Sequence, residues 1–356
     1  MSTRRRIDRV TSHRIDVLKI ALVFFVIMIH AEKGLIVYVK DYPPAVWFTA
    51  SIWGHHLCRV AVPLFFIISS YLFFSTWTFT RDSYVKTVIK KTKTVLFPYL
   101  LFNTLLVLSI MAFGKIPYIG NQAYLTDRGI WDLFLGIHGK PINYTLWFLR
   151  DLYIFFLAAP LFLGFFRVTK VWGIILVFIF WTQHPAPYLT LDASGVFFFY
   201  CGCVLAKKDV DLDGLSQYGT WIVVGYILML SLGVWLEADS ISPEWYYPQH
   251  CLELISGVGA LWALSRLPWV CNNAILLRAA PFSFFVYLIH EPILSLFIYY
   301  SRFIFLPFNP LTDIVYYFGI SIITFCTALG TGRLLARYSP NTYALLTGLR
   351  RPSTQA

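Results

Sequence analysis

Apolar runs separated by short polar or basic stretches repeat along this chain, and many approach the length needed to cross a bilayer. Such runs are expected near residues 18–39, 57–77, 94–113, 146–166, 171–184, 194–206, 219–236, 249–266, 282–303 and 314–336. They predict an all-α fold, a polytopic transmembrane helix bundle of about ten helices. The segments at 171–184 and 194–206 are short for a full crossing and could be tilted, broken or partly re-entrant, so the count spans about eight to eleven. The chain then divides into a basic N-terminus at 1–17, a transmembrane domain at 18–338 and a tail at 339–356. No internal repeat is visible.

Composition agrees with a membrane class. Of 356 residues, 58% are hydrophobic and 13% charged, so water is not the main solvent of this chain. The formal charge of +11 could suit nucleic acid, but the basic residues fall between apolar runs and form no compact patch, so no nucleic-acid partner is expected. Topology explains the charge better, because cytoplasmic flanks accumulate lysine and arginine. With ten spans and both termini cytoplasmic, most of the 29 basic residues fall inside, among them Arg4, Arg5, Arg6, Arg14, Lys19, Lys90, Lys91, Lys93, Arg350 and Arg351. The exceptions are Lys33, Lys40, Arg59, Lys115, Arg128, Lys140, Arg150 and Arg302. No convincing cleavage site follows the first apolar run, so it is expected to be retained as a helix. The largest loop, 114–145, is expected outside, where Trp131, Asp132, His138 and Asn143 line an entrance or cap the bundle. The six cysteines form no paired CxxC pattern and are expected to be buried small apolar residues, with no metal site.

Ionisable residues inside apolar runs are costly and are therefore functional candidates. Lys19 and His30 are eleven positions apart, three helical turns plus about 20°, so they share one face roughly 16 Å apart. Lys19 would meet phosphates at the cytoplasmic boundary, and His30 would lie near mid-membrane, as either a general base or an interhelical packing residue. Arg59 and Arg150 would lie near the outer ends of their spans, holding an acceptor or pairing with Asp151 or Glu253. His55 and His56 are interfacial. His290 precedes Glu291 and Pro292 mid-span, placing two ionisable groups beside a local helix break.

Five stretches resemble the membrane acyltransferase 3 family, which includes bacterial enzymes that O-acetylate surface glycans. They are RIDVLKIALVFFVIMIH at 14–30, VPLFFIISSYLF at 62–73, KKTKTVLFPYLLFN at 90–103, LWFLRDLYIF at 146–155 and PFSFFVYLIHEPIL at 281–294. Lys19 and His30 fill the family's basic and histidine positions, and the resemblance implies that His30 is catalytic. Ser69 and Ser70 stand where a Ser-Gly pair is usual, which questions a tight backbone approach there. The resemblance further implies an acyl-coenzyme A donor, commonly acetyl-coenzyme A, with no permanently bound cofactor and no extra extracytoplasmic hydrolase-like domain. It also implies a cell-envelope glycan or lipid-linked saccharide acceptor and a multi-pass place among the lipids of a bacterial plasma (inner) membrane. On this reading Lys19, Lys90, Lys91 and Lys93 hold the donor's phosphates, Arg59, Arg150, His290 and Glu291 hold the acceptor, and a covalent intermediate on Ser69 or Ser70 lacks support. A transporter or flippase for a polar or lipid-linked sugar, and a non-catalytic assembly subunit, remain the alternatives.

Overall fold

In a computed structural model, the described residues are 8–38, 43–77, 80–113, 129–183, 191–208, 210, 217–238, 243–301, 303–304 and 309–349. The expectations for Arg4, Arg5, Arg6, Lys40, Lys115, Arg128, Arg302, Arg350 and Arg351, and for the first part of the outer loop at 114–128, lie outside them. The described residues are overwhelmingly helical and include no strand.

We number the principal helices α1 Arg9–Tyr38, α2 Pro44–Thr76, α3 Arg81–Ala112, α4 Ile130–Leu135, α5 Trp147–Leu157, α6 Ala159–Thr169, α7 Gly173–Thr182, α8 Ala193–Lys208, α9 Gly219–Ala238, α10 Pro243–Leu264, α11 Ser283–Ser301, α12 Pro310–Tyr338 and α13 Pro340–Leu346. Each apolar run read from the sequence falls largely on helix. Six described stretches are long and apolar enough to cross a membrane by length and composition, including α2, α3, α9 and α12. Leu161, Trp221 and Leu228 are strongly exposed on α6 and α9, as a hydrocarbon-facing surface requires.

Helix α1 is central, packed against α11 and α12 and against α2. It starts at Arg9, inside the expected basic N-terminus, because Asp8 caps it through Thr11 N at 2.8 Å. Arg14 is fully buried: it donates to Trp262 O at 2.8 Å and Ser265 Oγ at 3.1 Å and lies 3.9 Å over the Trp262 ring. Part of the expected tail also packs back, with Tyr343 of α13 buried against Phe285. Asn309 and Thr312 form a capping box at the start of α12.

Helices α5 and α6 continue across Ala158, where Ala158 N bonds Ile154 O and Phe162 N bonds Ala158 O. Lys170, at φ 52° and ψ −131°, then turns the chain into α7. The short fifth run is therefore a helix of its own. A phenylalanine-rich core, including Phe66, Phe73, Phe155, Phe156 and Phe199, joins α2, α5 and α8. The close α2–α8 approach survives the loss of the family's Ser-Gly pair because the glycine is on the other helix. A Cβ at Gly202 would lie 2.6 Å from Ile67 O, and Ser70 Oγ donates to Phe199 O at 2.5 Å. Cys58, Cys203, Cys251 and Cys271 are buried as expected; Cys326 is exposed on α12, whose lipid-facing side needs no polar residue.

Candidate active site

The hydroxyl of Tyr144 reaches His30 Nδ1 at 3.4 Å, and the two rings meet edge to face at 5.3 Å between centroids. The second ring against His30 is His290 of α11, stacked at 5.7 Å. His290 Nδ1 contacts Tyr287 O at 2.6 Å, while its buried Nε2 has no hydrogen-bond partner. The Nδ1 contact to a carbonyl means that the ring proton resides there and that Nε2 carries the lone pair.

One turn beyond His30, Lys33 pairs with Glu291 and donates to Ser295 Oγ at 2.8 Å. Glu291 acts electrostatically on the Tyr144 phenol, and its Oε2 is buried without a hydrogen-bond partner. His30 is half-buried, and Lys33, Arg59 and Lys140 all act electrostatically on it. Arg59 and Lys140 are exposed, so the partly exposed imidazole sits beside a solvent-accessible cationic surface, the vestibule. Arg59 is aimed by its own backbone, with Nε donating to Gly54 O at 2.9 Å. Partial desolvation of its ammonium and the neighbouring Arg59 guanidinium hold Lys140 below the usual lysine pKa, against an opposing pull from Asp192.

A cavity of about 230 Å³, which His30 itself does not line, is formed by Lys19, Val23, Ser69, Lys91, Phe148 and Tyr287, among others. Lys19, Val23 and His30 are at i, i+4 and i+11, one stripe of α1. The Tyr287 ring is 5.7 Å from His290, so the cavity's inner wall is shared with the histidine pair. Lys19 is held by Asp16 at 3.1 Å, and Lys91 lies 4.3 Å over the Phe156 ring. Lys90 and Lys93 are exposed and do not line the cavity, because successive residues point around the helix. A larger groove of about 510 Å³, near Gly219, Val223, Arg266 and Pro268, contains none of the expected site residues.

Of the two expectations for Arg150, the structure shows the ion pair with Asp151. Arg150 is buried, pairs with Asp151 at 2.8 Å and donates to Gly136 O at 2.6 Å and Gly139 O at 3.0 Å. Asp151 in turn accepts from Asp192 N at 3.1 Å. This pair pins the described end of the outer loop, where Asn143 N donates to Asn103 Oδ1 at 3.0 Å. The pinned loop presents Lys140 and Tyr144 to the vestibule. Sequence reading missed Tyr144 as a site residue, and only the i, i+3 spacing of His30 and Lys33 hinted at Lys33.

The family described as acyltransferase domain matches residues 12–333. The chain belongs to that family. This acyltransferase is also similar to the succinoglycan biosynthesis protein ExoH of Rhizobium meliloti (strain 1021), at 26% identity over 355 residues, covering 96% of this chain and 94% of the relative. No solved structure matches it. The family resemblance carried by five short stretches thus extends over nearly the whole length, and its apolar helices make the acyltransferase a multi-pass membrane protein.

Proposed function

We propose that this acyltransferase moves an acyl group, most simply acetyl, from acyl-coenzyme A at the cytoplasmic face to a hydroxyl of a cell-envelope glycan or its lipid-linked precursor. The carrying observation is the single stripe of α1 that puts Lys19 and Val23 in the cavity lining and His30 further along the same face, where Arg59 and Lys140 act on it. A glycan acceptor is supported by the relative's place in succinoglycan biosynthesis. Ten crossings with both termini inside a bacterial inner membrane fit the helix positions and put Lys19, Lys90, Lys91 and Lys93 on the donor side.

The cavity is smaller than the roughly 300–1,000 Å³ typical of drug-sized ligand sites, which suits a narrow acyl-pantetheine arm with its nucleotide outside. Lys19 and Lys91 attract the phosphates at its mouth, and exposed Lys90 and Lys93 add to that field. His30 Nδ1–H donates to Tyr144 Oη, leaving His30 Nε2 as the basic atom. The acceptor hydroxyl loses its proton to Nε2 as its oxygen bonds to the thioester carbon. The tetrahedral oxyanion, stabilised by Arg59 and Lys140, then collapses with cleavage of the C–S bond. The imidazolium returns the proton to the departing thiolate, restoring neutral His30.

The test is mass spectrometry of envelope glycans from cells with and without the gene. Loss of one acyl-sized mass increment is the expected result. Intact modification with accumulated precursor would replace this reading with transport.

A further inference from the structure

A second polar cluster joins α2 to α10 and takes no part in the proposed transfer. We propose that His56, His250 and Glu253 bind one divalent transition ion of the zinc class. Donor atoms of these three residues all lie within 4.8 Å of one another. His56 Nδ1 is 3.0 and 2.9 Å from the two Glu253 carboxylate oxygens, and His250 Nδ1 is 3.7 Å from Oε2. Ligands at about 2.0–2.1 Å around a tetrahedral ion stand roughly 3.4 Å apart, so these separations suit donors to one centre.

Hydrogen bonding within the protein leaves the cluster incomplete. His250 Nδ1, Gln249 Oε1 and the Tyr226 hydroxyl are buried without a partner, and Gln249 and Tyr226 are each only 7% exposed. An imidazolium at His56 bridging two carboxylates would account for its own contacts but would leave His250 Nδ1 without a role. An ion satisfies His250 and Glu253 together.

The surrounding groups also fit. His56 Nε2 faces Glu237 Oε2 at 3.2 Å, the carboxylate partner that orients a metal-binding imidazole. Glu237 is itself held by Ser51 and by His55 Nδ1 at 2.5 Å, and His55 Nε2 reaches Glu32 of α1 at 2.8 Å. Helix α2 widens to a π turn over Ser51–His56, which brings both histidines onto these carboxylates. Gly233 leaves the space open: a Cβ there would lie 2.6 Å from Glu253 Oε2 and 2.7 Å from His56 Cε1. Two imidazoles and a carboxylate select zinc-like ions over calcium or magnesium, which prefer all-oxygen shells. Arg59 donates to Gly54 O inside the same π turn, so a bound ion would also stiffen the support of the vestibule.

The experiment uses the full chain, purified in detergent without a metal-affinity step, titrated with zinc and, by visible absorption, with cobalt(II). One equivalent of zinc and an intense tetrahedral cobalt spectrum are expected. Glu253→Gln should weaken uptake at least ten-fold, and so should His250→Ala, whose partly exposed side chain makes misfolding a poor explanation. His138→Ala, altering an exposed histidine elsewhere, should bind as the unaltered protein does. Absence of saturable zinc uptake, or equal uptake by all three variants, would overturn the assignment. No acyl transfer is measured, so the outcome is independent of the proposed function.

Discussion

The imidazole of His30, on the first helix, stacks on that of His290, near the other end of the chain, with ring centroids 5.7 Å apart. This contact closes the bundle around the stripe that Lys19 begins, and it makes the site a product of α1 and α11 together.

His30→Ala should reduce acyl transfer by about 100-fold or more, the usual loss on removing a general base. Size-exclusion profile and melting temperature should stay near those of the unaltered protein. Activity within a few-fold of normal would remove His30 from the role of base.

Tyr144→Phe deletes the hydroxyl that contacts His30 while keeping the ring. One modest hydrogen bond corresponds to about 1 kcal/mol, so kcat should fall about five-fold with the donor KM unchanged. A change confined to KM would mean that Tyr144 touches substrate instead of orienting the base.

Lys19→Gln and Lys91→Gln should each raise the acyl-coenzyme A KM by about ten-fold through loss of a charge-assisted phosphate contact. Lys90→Gln and Lys93→Gln should act more weakly and mainly at low salt, where exposed charges are least screened. Initial-rate measurements at two ionic strengths separate the pairs.

Arg150→Ala should act on stability first, because breaking one side of a buried ion pair costs about 3–5 kcal/mol. Lower yield and melting temperature are expected. The double change Arg150→Met with Asp151→Leu should recover part of the loss, an outcome that a purely substrate-binding arginine would not give.

Lys140 lies outside the membrane runs and has a depressed pKa in the folded chain. The unfolded chain therefore holds more protons between that value and the ordinary 10.5, and stability should rise with pH across this interval. Lys140→Met should flatten that rise in thermal melts recorded from neutral to alkaline pH. An unchanged slope would contradict the depressed pKa of this ammonium.

Local pattern in the sequence determined the membrane class, the approximate helix positions and the shared face of Lys19 and His30, since hydropathy and helical period are carried by residues close together in the chain. Only the tertiary structure decided which distant groups meet. It put His290 and Tyr144 on His30, drew Lys91 but not Lys90 or Lys93 into the cavity, and committed Arg150 to the outer loop instead of the vestibule. The glycine expected beside Ser69 was supplied by Gly202 across the interface, and His56, left as an interfacial residue, was enclosed by Glu237 and Glu253. Such pairings depend on helix rotation, on π turns that shift the register and on loop placement. Those quantities are set by packing between segments remote in sequence.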